Sequence, residues 1–155
     1  MVQWLWASAF ISSAPPAVLC CPEVERPSEE VLMDIRSTLV SLCDAFNAHD
    51  LDRIMAFFAD DCVLHMPRGS EPWGARFEGK DKVRTGLAAR FEGLPDVHYG
   101  EAEHFADEVL DTGMSKWTLT GTTPDGVRKH VHGCDFYTFR NGKVIQKDSY
   151  WKIVE

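Results

Sequence analysis

Two spacings of apolar residues divide the chain. Ile35, Leu39, Leu42 and Phe46 recur at steps of four, three and four, which is one face of an α-helix. Burying each of them contributes about 1.5 to 3 kcal/mol, enough to fix that helix on a core. Ser28, followed by Glu29 and Glu30, offers a capping hydroxyl and acids near the positive end of the dipole, so the helix is expected to begin there and to end at Asn47-Ala48-His49. Asp50 can cap a second short helix carrying Leu51, Ile54, Phe57 and Phe58. A brief strand, Cys62 to Met66, follows Asp60-Asp61 and breaks at Pro67. A third helix is expected over Lys80 to Phe91, with Val83, Leu87 and Phe91 on one side and Gly93-Leu94-Pro95 as its stop. Beyond it the period becomes two. Val97–Ala106, Val109–Gly121, Val127–Phe139 and Val144–Ile153 read as four long strands, separated by turns at Asp107-Glu108, Pro124-Asp125-Gly126 and Asn141-Gly142. The last turn is a β-hairpin signal, and the series predicts an antiparallel meander.

The faces of these strands carry information. In the third, Val131, Asp135, Tyr137 and Phe139 share one side, while His130, His132, Cys134, Phe136 and Thr138 share the other. In the fourth, Ile145, Trp151 and Ile153 oppose Val144, Tyr150 and Val154. A sheet apolar on both faces needs two covers, and three short helices supply one. The second cover is expected to be another copy of the chain, in a homodimer packed through the outer sheet face. Asp135 is the exception to this apolar pattern, because an unpaired buried carboxylate is costly and responds by raising its pKa. The loop from Pro67 to Gly79 carries Trp73 and Phe77, which either plug the core or form the lid of a ligand cavity.

Composition narrows the function classes. The 155 residues, 45% hydrophobic and 26% charged, suit one domain, assigned to residues 28–155. Residues 1–22 contain no Asp, Glu, Lys or Arg. Residues 1–27 are read as a disordered or loosely docked extension rather than a targeting signal, since no positive region precedes the apolar run and Pro15-Pro16 interrupts it. A net charge of -8 and a pI near 5.2 argue against nucleic-acid and anionic-membrane partners. The expected partner is a small apolar molecule. Five cysteines without C-x-x-C spacing fit reduced thiols in a cytoplasmic protein. No phosphate loop, nucleophile elbow or dinucleotide fingerprint is present, so no cofactor is expected. His130, His132 and Cys134 share a strand face, but successive positions there stand roughly 7 Å apart, and no metal is expected.

The runs FNAHDLDRIMAFFADDCVLHMP, WTLTGTTPDG and HGCDFYTFRNGKVIQKDSYW, set behind three helices, resemble the nuclear transport factor 2-like superfamily. Within it they resemble the SnoaL-like and ketosteroid-isomerase-like branch, over about Ser28 to Val154. The resemblance implies an α+β fold: a cone-shaped, curved antiparallel sheet of about four long strands plus a short one, wrapped around three N-terminal helices. Asp135 matches both the second acid of the isomerases and the acid/base aspartate of the SnoaL-like cyclases. The isomerase base falls at Met66 and its phenol donor at Leu42, so standard steroid isomerisation is not expected. His65, beside the missing base, is the candidate substitute. Trp73, Phe77, Trp117, Tyr137, Tyr150 and His132, with Met66 and Leu42, are the candidate pocket residues. The resemblance thus implies a cofactor-free enzyme of isomerase, polyketide-cyclase or hydrolase type using Asp135 as acid/base. The alternative is a non-catalytic homodimeric module that binds a hydrophobic ligand or a partner protein.

Overall fold

The structure is a computed structural model and describes residues 34–154. The extension at 1–27 and the cap proposed at Ser28 lie outside those residues. Asp34 caps the first helix instead, its carboxylate accepting the Ser37 amide at 2.9 Å. Helix α1 is Ile35–Asn47 and buries the Ile35, Leu39, Leu42 and Phe46 stripe; α2 is Leu51–Ala56, capped by Asp50 as its sequence indicates. Strand β1 is Phe58–His65, β2 is Arg76–Glu78 and α3 is Lys80–Gly93. Strands β3 (His98–Asp107), β4 (Thr112–Thr122), β5 (Arg128–Arg140) and β6 (Lys143–Trp151) complete the order. No helix among the described residues is long and apolar enough to cross a membrane.

The six strands form one curved, unclosed sheet in the order β2-β1-β6-β5-β4-β3. Register shifts in β1, β3 and β5 bend the strands where they fall. The sheet is mixed rather than purely antiparallel, because β6 lies between β1 and β5 and runs parallel to β1. Strand β1 starts four residues before the expected Cys62, and Asp60 and Asp61 sit in it without penalty. Both are exposed and paired, Asp61 with Arg140 at 2.6 Å and Asp60 with Lys80 at 3.3 Å. The Pro- and Gly-rich loop turns back through Ala75 N–H donating to Arg68 O and Met66 N–H to Ala75 O, both at 2.9 Å. That delivers the unexpected short strand β2 alongside β1. Val109 and Leu110 belong to a turn, where the Asp107 carboxylate accepts both of their amides at 3.0 Å.

The Asn141-Gly142 turn forms as expected, with both residues at positive φ (50° and 76°). A bulge between Thr138 and Phe139 then resets the faces of β6. Val144, Lys147 and Ser149 are buried, while Tyr150 is exposed, so Val144 does not share the Tyr150 side as simple alternation expects. The main core joins α1, α2 and α3 to β1, Tyr137, Phe139 and Val144; Leu94, Val97, Trp117 and Leu119 form a smaller cluster beside it. On the opposite face Phe105, Phe136 and Tyr150 stay about half exposed.

Gly133 decides how the centre of the sheet packs. It lies opposite Trp117 on β4 and Trp151 on β6, and a Cβ there would run into the six-membered ring of Trp117. The missing side chain lets that indole lie flat across β5. Gly133→Ala is expected to cost about 1 to 3 kcal/mol through overpacking, read by urea denaturation, and to move the Trp117 indole N–H resonance. An unchanged resonance with full stability would show that this close approach is not required.

Candidate functional site

The central strands bury four polar side chains, three of which meet at one point. Asp135 on β5 faces Ser115 across β4 and Ser149 across β6, and the inward face of β6 carries Lys147 two residues before Ser149. Asp135, Lys147, Ser115 and Ser149 are each more than nine-tenths buried. The Lys147 ammonium donates to Asp135 Oδ1 at 2.5 Å and to Ser149 Oγ at 2.6 Å, and Ser149 Oγ donates to the same carboxylate oxygen at 2.6 Å. Oδ2 accepts the Trp117 indole N–H at 2.9 Å and, more loosely, the Tyr137 hydroxyl at 3.4 Å. Lys147 also lies 5.6 Å from the Tyr137 ring centre and 5.9 Å from that of Phe46, within the range of cation–π attraction. Ser115 turns away from this network and meets His104 Nδ1 at 2.8 Å.

Burial sets the proton affinities. It pulls the Lys147 ammonium below its usual value, opposed by the adjacent Asp135 carboxylate. It pushes the Tyr137 phenol well up, and Tyr99 likewise, so both remain proton donors. The Cys43 thiol is pushed up to about 11 by the same desolvation, which makes it unreactive.

Two small cavities flank the pair, sharing Phe46, Tyr99, Trp117, Asp135 and Lys147 as their common wall. Each measures about 20 Å³, room for a water molecule and not for an organic ligand. Among the described residues no ligand-sized cavity reaches the pair. The first cavity is bounded by Met66, Arg90 and Trp151, the second by Leu39, Cys43 and Tyr137.

Of the residues singled out from sequence, the structure brings Asp135, Trp117, Tyr137 and Met66 together. Leu42 is packed into the core, and Phe77 lies in the core's outer layer against Gly86. Trp73 is 52% exposed in its loop. Tyr150 and His132 lie on the outer face, where Tyr150 donates to Asp148 at 2.9 Å and His132 meets the Thr118 hydroxyl at 3.0 Å. His65 is not brought to Asp135. It alternates with buried Leu64 and faces Asp148 at 3.9 Å, with neither ring nitrogen hydrogen-bonded. Sequence reasoning missed Lys147, Ser149, Phe46 and Tyr99. For Lys147 a signal exists: it shares strand parity with Trp151, on the side opposite Tyr150.

The sequence profile of the SnoaL-like domain matches residues 39–147. Among curated proteins none is significantly similar in sequence. Among solved structures, a protein from Xanthomonas campestris pv. campestris, provisionally assigned as a polyketide cyclase, superposes with a TM-score of 0.67 at 18% identity, over 78% of this chain and 93% of its own. A provisionally assigned isomerase from Bacillus subtilis gives 0.64 at 14% identity, over 75% and 84%. A nuclear transport factor 2-like protein of unknown function from Burkholderia pseudomallei gives 0.65 at 18% identity, over 75% and 88%. At these identities the likenesses establish the fold and nothing of the chemistry.

Removing one partner of the pair strands the other. Lys147→Met is expected to cost about 3 to 5 kcal/mol, whereas Asp135→Leu combined with Lys147→Met returns to wild-type stability or exceeds it by about 1 to 4 kcal/mol, both measured by chemical denaturation. The pH dependence has a definite sign. A folded-state pKa held below the usual lysine value withholds stability at neutral pH and restores it as pH rises toward 10.5. Tyr99 and Tyr137 act oppositely above about pH 10, so the lysine term is isolated as the difference between wild type and Lys147→Met. A difference that falls as pH rises would contradict this assignment.

Proposed function

The chain belongs to the SnoaL-like domain family, and we propose that it is a cofactor-free acid/base enzyme of isomerase or cyclase type whose reacting groups are Asp135 and Lys147. One observation supports this reading: a buried lysine–aspartate pair stands between two water-sized spaces at the centre of the sheet. As a device for stability alone, apolar side chains of similar volume serve equally well or better, and groups with a shifted proton affinity, such as Lys147, concentrate at functional sites.

The chemistry follows from the donors and acceptors. In this reading Asp135 takes a proton from carbon next to a carbonyl, and the Lys147 ammonium and Tyr137 hydroxyl turn their hydrogen bonds from Asp135 to the enolate oxygen that forms. Return of the proton to a different carbon completes an isomerisation. Attack of the enolate on a second carbonyl of the same molecule, whose oxygen then takes back the proton held on Asp135, completes a cyclisation. Entry of a substrate by way of the first cavity requires Trp151 and Met66, which line it, to move aside. The substrate class is a small, largely apolar carbonyl compound.

The second reading, a non-catalytic dimeric binding module, draws on a different observation. All the hydrogen bonds of Asp135 are already satisfied within the protein, and the outer face presents Phe105, Met114, Phe136 and Tyr150, with Phe136 and Tyr150 edge to face at 5.9 Å. An apolar face of this kind suits a twofold interface.

Deuterium incorporation separates the two. Incubated in heavy water with a panel of aromatic and aliphatic ketones and diketones, the wild-type protein is expected to accelerate exchange next to the carbonyl in at least one compound. Folded Asp135→Asn and Lys147→Met proteins should lose about 10² to 10⁴ of that acceleration. Exchange by the variants at the wild-type rate would remove the pair from the chemistry, and no exchange in any compound would leave the binding module. For the outer face, Phe136→Glu is expected to turn a dimer into a monomer by sedimentation velocity; a wild-type protein that sediments as a monomer would end that part of the proposal.

A further inference from the structure

An open cleft of about 240 Å³ lies across the end of the sheet where β5 begins and β6 ends. Among the described residues its charged lining is entirely cationic: Arg68, Arg128, Lys129 and Lys152, joined by the imidazole of His130. This is unexpected in a chain of net charge -8. None of those four cations takes part in an ion pair among the described residues. Asp96 lies within electrostatic reach of Arg128, and Asp125 of Lys129. Both acids are engaged elsewhere, Asp96 by the Thr122 amide at 2.5 Å and Asp125 by the Thr123 hydroxyl.

Leu119, Val131 and Trp151 contribute apolar surface to the same cleft. Two guanidinium groups approach the Trp151 ring, Arg68 at 5.4 Å and Arg90 at 4.7 Å from its centre. Such stacking holds the indole in place and leaves the forked donors of Arg68 directed by an aromatic plane. Trp151 and Leu119 also border the cavity beside Lys147, so one aromatic wall separates the cleft from the buried pair.

We propose that this cleft binds a small organic carboxylate with an aromatic body, the ring lying against Trp151, Leu119 and Val131 and the carboxylate meeting Arg128, Lys129 and Arg68. The volume falls just short of sites for drug-sized ligands, roughly 300 to 1,000 Å³, so the occupant is of fragment size. A carboxylate fits better than a phosphate ester because no glycine and no helix N-terminus, the usual cradle for phosphate, contributes to the lining. Binding here does not depend on the acid/base role given to Asp135.

The test is a titration of the isotope-labelled full chain with sodium naphthoate, followed by nuclear magnetic resonance, with naphthol, naphthyl phosphate and inorganic phosphate as comparison ligands. The Trp151 indole signal is assigned with Trp151→Phe. Naphthoate is expected to shift that indole and the Val131 amide, to bind at least about tenfold more tightly than naphthol, and to weaken as salt is added. Arg128→Gln with Lys129→Gln should raise its Kd by about tenfold or more, while Asp135→Asn should leave the Kd unchanged. That last arm makes failure of the catalytic reading distinguishable from failure of this one. Equal binding of naphthoate and naphthol, an unaltered Kd in the double variant, or no shift at Trp151 would overturn the proposal. Tighter binding of either phosphate than of naphthoate would overturn the carboxylate assignment.

Discussion

The contact between Asp135 and Lys147 is the constraint around which the centre of the molecule is arranged. Two charges taken out of water cost several kcal/mol each, and their attraction offsets this only when the remaining lone pairs and protons are also satisfied. Here the satisfaction comes from three adjacent strands: Trp117 from β4, Tyr137 from β5 and Ser149 from β6. The register between those strands is therefore doubly specified, once by apolar packing and once by hydrogen-bond geometry. A slip of one residue would put Asp135 on the outer face and leave Lys147 buried against aromatic rings with no counter-charge. Gly133 belongs to the same arrangement, since the indole that reaches Asp135 crosses the strand where that glycine leaves space.

Much of the fold was legible because local signals agreed with the tertiary result. The apolar stripe of α1, the Asp50 cap of α2, the Asn141-Gly142 turn and the four long strands each follow from residues close in sequence. What was not legible depends on distant partners. Strand β2 hides in a stretch rich in proline and glycine and exists because backbone hydrogen bonds fold the loop back on β1. Asp60 and Asp61 read as a helix end, yet Lys80 and Arg140 accommodate them in a strand. The parallel pairing of β1 with β6 has no signature in either segment.

The site shows the same division. Asp135 stood out as an acid among apolar neighbours, and it is buried. Its partner did not stand out, because a lysine in a strand ordinarily reads as a solvated position, although its parity with Trp151 would have turned it inward. His65 illustrates the converse. Its position beside the missing base drew attention, but strand parity turns it to the face opposite the pair. The acidic balance of the whole chain likewise gave no sign that four cations, without an ion pair among the described residues, gather at one end of the sheet, since they come from a loop, the start of β5 and the residue after β6.

The position of β6 has a consequence for how the chain is assembled. Strand β6 is the last strand in sequence, yet it occupies the interior of the sheet, with β1 on one side and β5 on the other. The β3-β4-β5 meander can form from neighbouring segments, whereas β1 and β2 have no sheet to join until β6 arrives, some eighty residues further along the chain. Such non-local pairing slows folding, because loop closure must precede any reward. The same strand delivers Lys147, so a nascent chain that has collapsed around β5 holds Asp135 without its counter-charge until the final insertion. Formation of the ion pair and completion of the sheet are then one event, and intermediates that stop short of it expose both an unpaired carboxylate and the open edges of β1 and β5.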